Sequence, residues 1–187
     1  MRIKRLLASL LALISGLFVT HAALAAEDLE NTLYMELKGG RVVIQLRPDL
    51  APNTVARIKE LVRQKFYDGI VFHRVIDGFM AQTGDPTGTG MGGSGKNLKA
   101  EFNNAPHVRG TLSMARAQDP DSADSQFFIV LADSNFLDHQ YTVFGSVVSG
   151  MEFVDQIKKG SPVDNGKVTD PDKIITLRVA ADVKDKK

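Results

Sequence analysis

A mainly β fold, an antiparallel sheet accompanied by two helices, is predicted for this chain by three observations. Short runs rich in β-branched and aromatic residues recur along it, bounded by Gly, Pro, Asn and Asp. Only two segments carry apolar residues at helical spacing, and they lie far apart. Helices placed so do not supply the regular crossovers of repeating β-α-β units, which leaves antiparallel pairing.

The first residues stand outside that fold. Arg2, Lys4 and Arg5 precede an uncharged apolar run from Leu6 to about Val19, followed by Ala23-Leu24-Ala25. This is the charged, apolar, small-residue order of a secretory signal, so residues 1–25 are expected to be removed after Ala25. The apolar run is short for a membrane span, which argues against a retained anchor. Residues 26–31 are polar and read as a frayed lead. Thr32 to Leu37 and Arg41 to Leu46 then alternate around Lys38-Gly39-Gly40, a hairpin. Pro48 and Pro52 end the strand, and Val55, Ile58, Leu61 and Val62 mark an amphipathic helix starting at Pro52 or Asn53.

Tyr67-Asp68-Gly69 turns the chain into a strand from Ile70 to Ile76. Further strands are expected at Met80–Thr83, Thr111–Ala115, Gln126–Leu131, Tyr141–Val148 and Ile174–Val179. A second helix, Met151–Lys159, stops at Gly160. The tail 181–187 is charged and expected to fray. Residues 26–187 thus read as one domain, with no repeat and no internal linker.

Composition narrows the function. Of 187 residues, 43% are hydrophobic and 24% charged, the balance of an ordinary globular protein. Removing the signal leaves 20 basic against 22 acidic residues, a net charge of −2 with no electrostatic footprint for nucleic acid. There is no cysteine, hence no disulfide, thiol nucleophile or thiolate metal site.

Several motifs read more simply than they first suggest. Gly88 to Gly93 fits G-x-G-x-x-G and Gly90 to Lys96 fits G-x-x-x-x-G-K, but Asn97 stands where Ser or Thr would hold magnesium. No helix of useful length follows before Pro106, so a structured surface loop is expected in place of a nucleotide site. Asp119, Asp121 and Asp124 lack calcium-loop spacing. His73, His107 and His139 lack metal-ligand spacing, and His73 is expected to be a satisfied structural histidine. No G-x-S-x-G elbow is present. No metal and no cofactor are expected.

The informative run is Phe72-His73-Arg74-Val75-Ile76-Asp77-Gly78-Phe79-Met80-Ala81-Gln82. A cation beside an apolar, concave patch suits a ligand that is mostly apolar with one polar atom, and a proline ring with its amide fits. The run resembles the F-H-R-V-I-x-G-F-M-x-Q segment of cyclophilins, the peptidyl-prolyl cis/trans isomerases. The blocks Leu112-Ser113-Met114-Ala115, Ser125-Gln126-Phe127-Phe128-Ile129, Leu137-Asp138 and Val143-Phe144-Gly145 follow in the family's order, and the resemblance spans most of residues 32–180.

The resemblance implies a closed eight-stranded antiparallel β-barrel capped by two α-helices. It implies that Arg74 is the catalytic residue and that Phe79, Met80, Phe128 and Leu137 line a proline pocket. Gln82 and Gln126 would hydrogen-bond to the substrate and to Arg74, and Ala115, Arg116 and Ala117 would lie along the peptide. Phe136 and Tyr141 would complete the substrate-binding set. Three positions depart from the common eukaryotic pattern: Phe136 for tryptophan, Tyr141 for histidine and Arg116 for asparagine. Loss of the indole N–H leads us to expect weak cyclosporin binding. Phe136 and Tyr141 resemble the bacterial branch. The expected protein is a monomeric isomerase acting on proline-containing polypeptides and assisting folding of exported proteins. It would reside in the periplasm, or alternatively at the surface or outside the cell, with no stable membrane insertion. A peptide-binding chaperone or adhesin using the same groove is the rival reading, and the intact set of Arg74, Phe79, Met80 and Gln82 argues against it.

Overall fold

The computed structural model describes residues 29–183, so the expected signal and its cleavage site lie outside the described residues. Eight strands form one antiparallel sheet: β1 (Thr32–Leu37), β2 (Gly40–Leu46), β3 (Arg74–Ile76), β4 (Met80–Thr83), β5 (Thr111–Met114), β6 (Phe127–Val130), β7 (Val143–Ser149) and β8 (Thr176–Val179). Their order across the sheet is β3-β4-β6-β5-β7-β2-β1-β8. Among the described residues two α-helices, α1 (Pro52–Arg63) and α2 (Met151–Asp155), accompany it. No helix among the described residues is long and apolar enough to cross a membrane.

The expected closed barrel is corrected to an open half-barrel, with β3 and β8 as the edges of the sheet. The segment ahead of β8 does reach the β3 side, but through separate bonds. Gly69 N–H donates to the Ile174 carbonyl (2.8 Å), Phe72 N–H to Asp172 (2.9 Å) and Val168 N–H to His73 (3.0 Å). Left-handed turns at Asn165 (φ 53°) and Asp170 (φ 50°) interrupt that segment, so its bonds never assemble into a ladder. For the same reason residues 70–73, expected as strand, run along this seam outside the sheet and leave β3 short. Helix α2 also stops earlier than expected. Lys158 N–H turns to the Asp172 carboxylate (2.9 Å) and Gly160 N–H to the Val75 carbonyl (2.9 Å), and neither continues the helix.

Helix α1 starts at Pro52, and no side chain at Ala51 caps it. Its first N–H groups are met from far along the chain by Glu101, which accepts from Asn53 N (3.0 Å), Thr54 N (2.8 Å) and Thr54 Oγ1 (2.7 Å). The buried face of α1 (Val55, Ile58, Leu61, Val62) joins the main core with Tyr67, Phe72, Phe127 and Phe144. The lead and tail expected to fray enter the described residues at 29–31 and 181–183. There Glu30 and Asp182 both bond Arg63, at 2.8 and 2.9 Å.

Candidate active site

Antiparallel residues that face each other share a side of the sheet. Arg74 faces Gln82, Gln82 faces Phe128 and Phe128 faces Ser113, so four side chains form a row across β3, β4, β6 and β5. The neighbouring row, Val75, Ala81, Ile129 and Leu112, points the other way into the main core. Strands β5 and β6 are covered on both faces: β6 is apolar throughout, and the two hydroxyls of β5 are satisfied internally, Thr111 on the Pro106 carbonyl and Ser113 on the Thr142 carbonyl.

On the first face a second, smaller apolar cluster forms from Met80, Phe128, Val130 and Leu137, with Ile76, Phe79, Ala115 and Tyr141 packed against it. Phe79 comes from the β3–β4 turn and Leu137 from the 3₁₀ turn Asn135–Leu137. Above the cluster opens a cavity of about 110 Å³ lined by Arg74, Phe79, Met80, Gln82, Ala115, Arg116, Phe128, Leu137 and Tyr141. Gln126 and Ala117 line an adjoining cavity of about 350 Å³ that shares Gln82, Ala115 and Arg116 with the first. Phe136 lines neither; it is 66% exposed and stands on the rim, its ring 5.4 Å from that of Phe79.

Arg74 is held by neutral groups. Gln126 Nε2 donates to the carbonyls of Gly90 (3.0 Å) and Gly92 (2.8 Å), which turns its Oε1 toward Gln82 Nε2 (2.9 Å). That bond orients Gln82 so that its Oε1 accepts from Arg74 Nη1 (3.2 Å). On the other edge, Arg74 Nε donates to the Asn165 carbonyl (2.9 Å) and Nη2 to Asn165 Oδ1 (2.8 Å). Burial lowers the Arg74 pKa, yet a guanidinium starts so high that it stays charged. Burial likewise holds the neighbouring His73 below its ordinary value against the pull of Asp85, favouring its neutral form beside Arg74.

Residues 32–179 match the family described as cyclophilin type peptidyl-prolyl cis-trans isomerase/CLD. The chain belongs to the cyclophilin-type peptidyl-prolyl cis-trans isomerases. Among cyclophilin relatives, a probable peptidyl-prolyl cis-trans isomerase of Brucella suis is 55% identical over 172 residues, 86% of this chain and 88% of that protein. Peptidyl-prolyl cis-trans isomerase B of Bacillus subtilis is 44% identical over 132 residues, covering 70% and 92%. A crystal structure of a Hirschia baltica cyclophilin aligns with a TM-score of 0.75 at 28% identity, over 85% of this chain and 77% of that one. A Cryptosporidium parvum cyclophilin-type isomerase, crystallised in the presence of the dipeptide Ala-Pro, gives 0.72 at 28% identity, over 79% and 98%.

In this cyclophilin the Arg116 side chain does not reach freely toward the groove. Its guanidinium lies 4.7 Å from the centre of the Tyr141 ring and donates to the carbonyls of Gln140 (2.9 Å), Ala117 (2.9 Å) and Gln118 (3.1 Å). Arg116 thus fixes the wall that Tyr141 makes against Phe128, the two rings meeting edge-on at 5.9 Å.

The glycine-rich stretch is a structured loop whose N–H groups turn on an internal anion. Asp85 is 1% exposed and accepts from Thr87 N (2.7 Å), Thr87 Oγ1 (2.8 Å) and Gly90 N (2.6 Å). Burial raises its pKa, but these bonds and one from Gly92 together outweigh burial and bring it down to about 2. Asp124 accepts from Gly95 N (2.8 Å) and from the Ser94 hydroxyl, Asp121 from Ala100 N (2.8 Å) and Asp119 from Asp121 N (2.9 Å).

His73 differs from expectation, because neither buried ring nitrogen has a hydrogen-bond partner among the described residues. His107 proves the satisfied one: Nδ1 meets Asp138 Oδ1 (2.8 Å) and Nε2 meets Ser113 Oγ (3.0 Å). Asp, His and Ser stand here in triad order, but Ser113 is fully buried and no substrate carbonyl can approach it. Their place is behind the pocket floor, where the His107 ring stacks on Phe128 at 6.2 Å. Asn165 and His107 are the site neighbours that sequence reasoning missed. Asn165-Gly166 is a turn dipeptide with a left-handed signature, and it was the available sign of the first.

Proposed function

We propose that Arg74 performs the catalytic step, on X-Pro bonds of exported polypeptides, with Phe79, Met80, Phe128, Leu137 and Tyr141 holding the proline ring. The observation that carries this reading is a half-buried guanidinium with no carboxylate partner among the described residues, at the lip of an apolar cavity of about 110 Å³. Amide resonance sets a rotation barrier of about 18–20 kcal/mol. As the bond turns, conjugation is lost and the proline nitrogen becomes pyramidal and gains a lone pair. Arg74 donates to that lone pair, an interaction that exists only in the transition state. The apolar walls exclude water and strengthen it. Gln82 and Gln126 orient Arg74 and bond the peptide, while Ala115, Arg116 and Ala117 border its path.

Export is supported by the signal-like order of residues 1–25, and a bacterial setting by Phe136 and Tyr141; export in such a cell leads to the periplasm. In that setting the enzyme acts as a monomer on folding exported chains. The test is cis-to-trans isomerisation of an Ala-Xaa-Pro-Phe peptide by protein beginning at Ala26, beside Arg74→Ala. Turnover should fall about 10²–10³-fold with peptide affinity nearly unchanged. Equal losses in turnover and affinity would remove Arg74 from the chemical step.

A further inference from the structure

We propose that Asn165 is a positioning residue for this reaction, holding the Arg74 guanidinium on the edge Gln82 does not reach and doing so without cancelling its charge. The inference rests on the reading of Arg74 given above. A guanidinium has five N–H donors. Asn165 takes one from Nε with its main-chain oxygen and one from Nη2 with Oδ1, and Gln82 takes one from Nη1. One donor on each terminal nitrogen is left over, and both are aimed because the other three are fixed. All three acceptors are amide oxygens. An aspartate at 165 could accept the same bonds but would also pair with the cation, weakening its response to the lone pair that develops on the substrate nitrogen.

The placement of Asn165 is built into the open edge of the sheet. Gly160 N–H donates to the Val75 carbonyl (2.9 Å) and Val75 N–H donates to Gly166 (2.8 Å), so the loop is fastened at both ends to the residue next to Arg74. Between those fastenings, the 3₁₀ turn Pro162–Asp164 ends on Asn165 in the left-handed region (φ 53°, ψ 36°). Asparagine is the side chain that tolerates that region while carrying a neutral acceptor. The left-handed turn is what brings the main-chain and side-chain oxygens of one residue onto the same guanidinium edge.

Asn165→Gly is the clean variant, because glycine keeps the left-handed backbone and the main-chain acceptor and removes only Oδ1. Its kcat should fall about five- to tenfold, with peptide Kd within about twofold and Tm within about 2 °C of wild type. In an Arg74→Lys background the same change should have no further effect on turnover, since Asn165 acts through the guanidinium. Asn165→Asp should also lose turnover although it retains both acceptors. Wild-type turnover in Asn165→Gly would overturn the proposal. So would an equal loss in the Arg74→Lys background, or a loss that merely follows a large fall in Tm. Wild-type turnover in Asn165→Asp would overturn the part concerning charge. If Arg74→Ala itself keeps full turnover, both readings fall; if it loses turnover while Asn165→Gly does not, this inference alone falls.

Discussion

Arg74 shows how a single charge can be kept available inside a folded protein. It is oriented by Gln82 and Asn165, amides that hold without neutralising, and it lies beside a histidine that burial disfavours from charging. The same logic of donors and acceptors applies at the rim. Phe136 offers a ring and no N–H, and with 66% of its surface exposed it has room to grow. Phe136→Trp should therefore tighten cyclosporin binding by about tenfold, the worth of one hydrogen bond of about 1.4 kcal/mol, read as a Kd by titration calorimetry. Proline-peptide turnover in that variant should stay near wild type, because the ring lies outside the inner cavity.

At the scale of elements, the glycine loop shows what a phosphate-binding pattern does when the chain supplies its own anion. The depressed Asp85 pKa, about 2 against an ordinary 3.8, sets the sign of its contribution. That contribution is full above pH 4 and disappears as pH falls through about 2. Asp85→Asn should thus be destabilised relative to wild type at neutral pH, with the gap in urea midpoint closing between pH 4 and 2. A gap constant with pH would mean that the carboxylate charge has no part in holding the loop. Legibility in the sequence followed the same physics. The β1–β2 hairpin and the α1 face were readable because periodicity is local. The exact extents of β3 and α2 were not, because each is cut short by bonds to the segment 160–174. Glu101 capping α1 and Asn165 clamping Arg74 act across 48 and 91 residues, where no local pattern reaches. The pocket residues were legible through the family resemblance, and the structure supplied the reason they meet: a register row across four strands sets Arg74, Gln82 and Phe128 side by side, and turns bring Phe79 and Leu137 over that face.

For the whole molecule, the open edge replaces a final ladder with a fastened loop, and Gly160 is its tightest point. A Cβ there would lie 1.8 Å from the Gly166 carbonyl oxygen, so only glycine allows the two strands of the loop to pass. Gly160→Ala should cost about 1–3 kcal/mol in urea unfolding. It should also lower kcat in the folded fraction, since the same loop carries Asn165; unaltered kcat would separate the seam from the site. At the other extreme of the molecule, Arg63 gathers Glu30 and Asp182 onto one guanidinium. Residues 30 and 182 are therefore neighbours in space, within reach of a linker of about four to six residues at ~3.5 Å each. The order in which the strands leave the ribosome is then a convention of this gene more than a requirement of the architecture: a chain joined there and reopened at the exposed Lys38-Gly39 turn could thread the same topology from a different beginning.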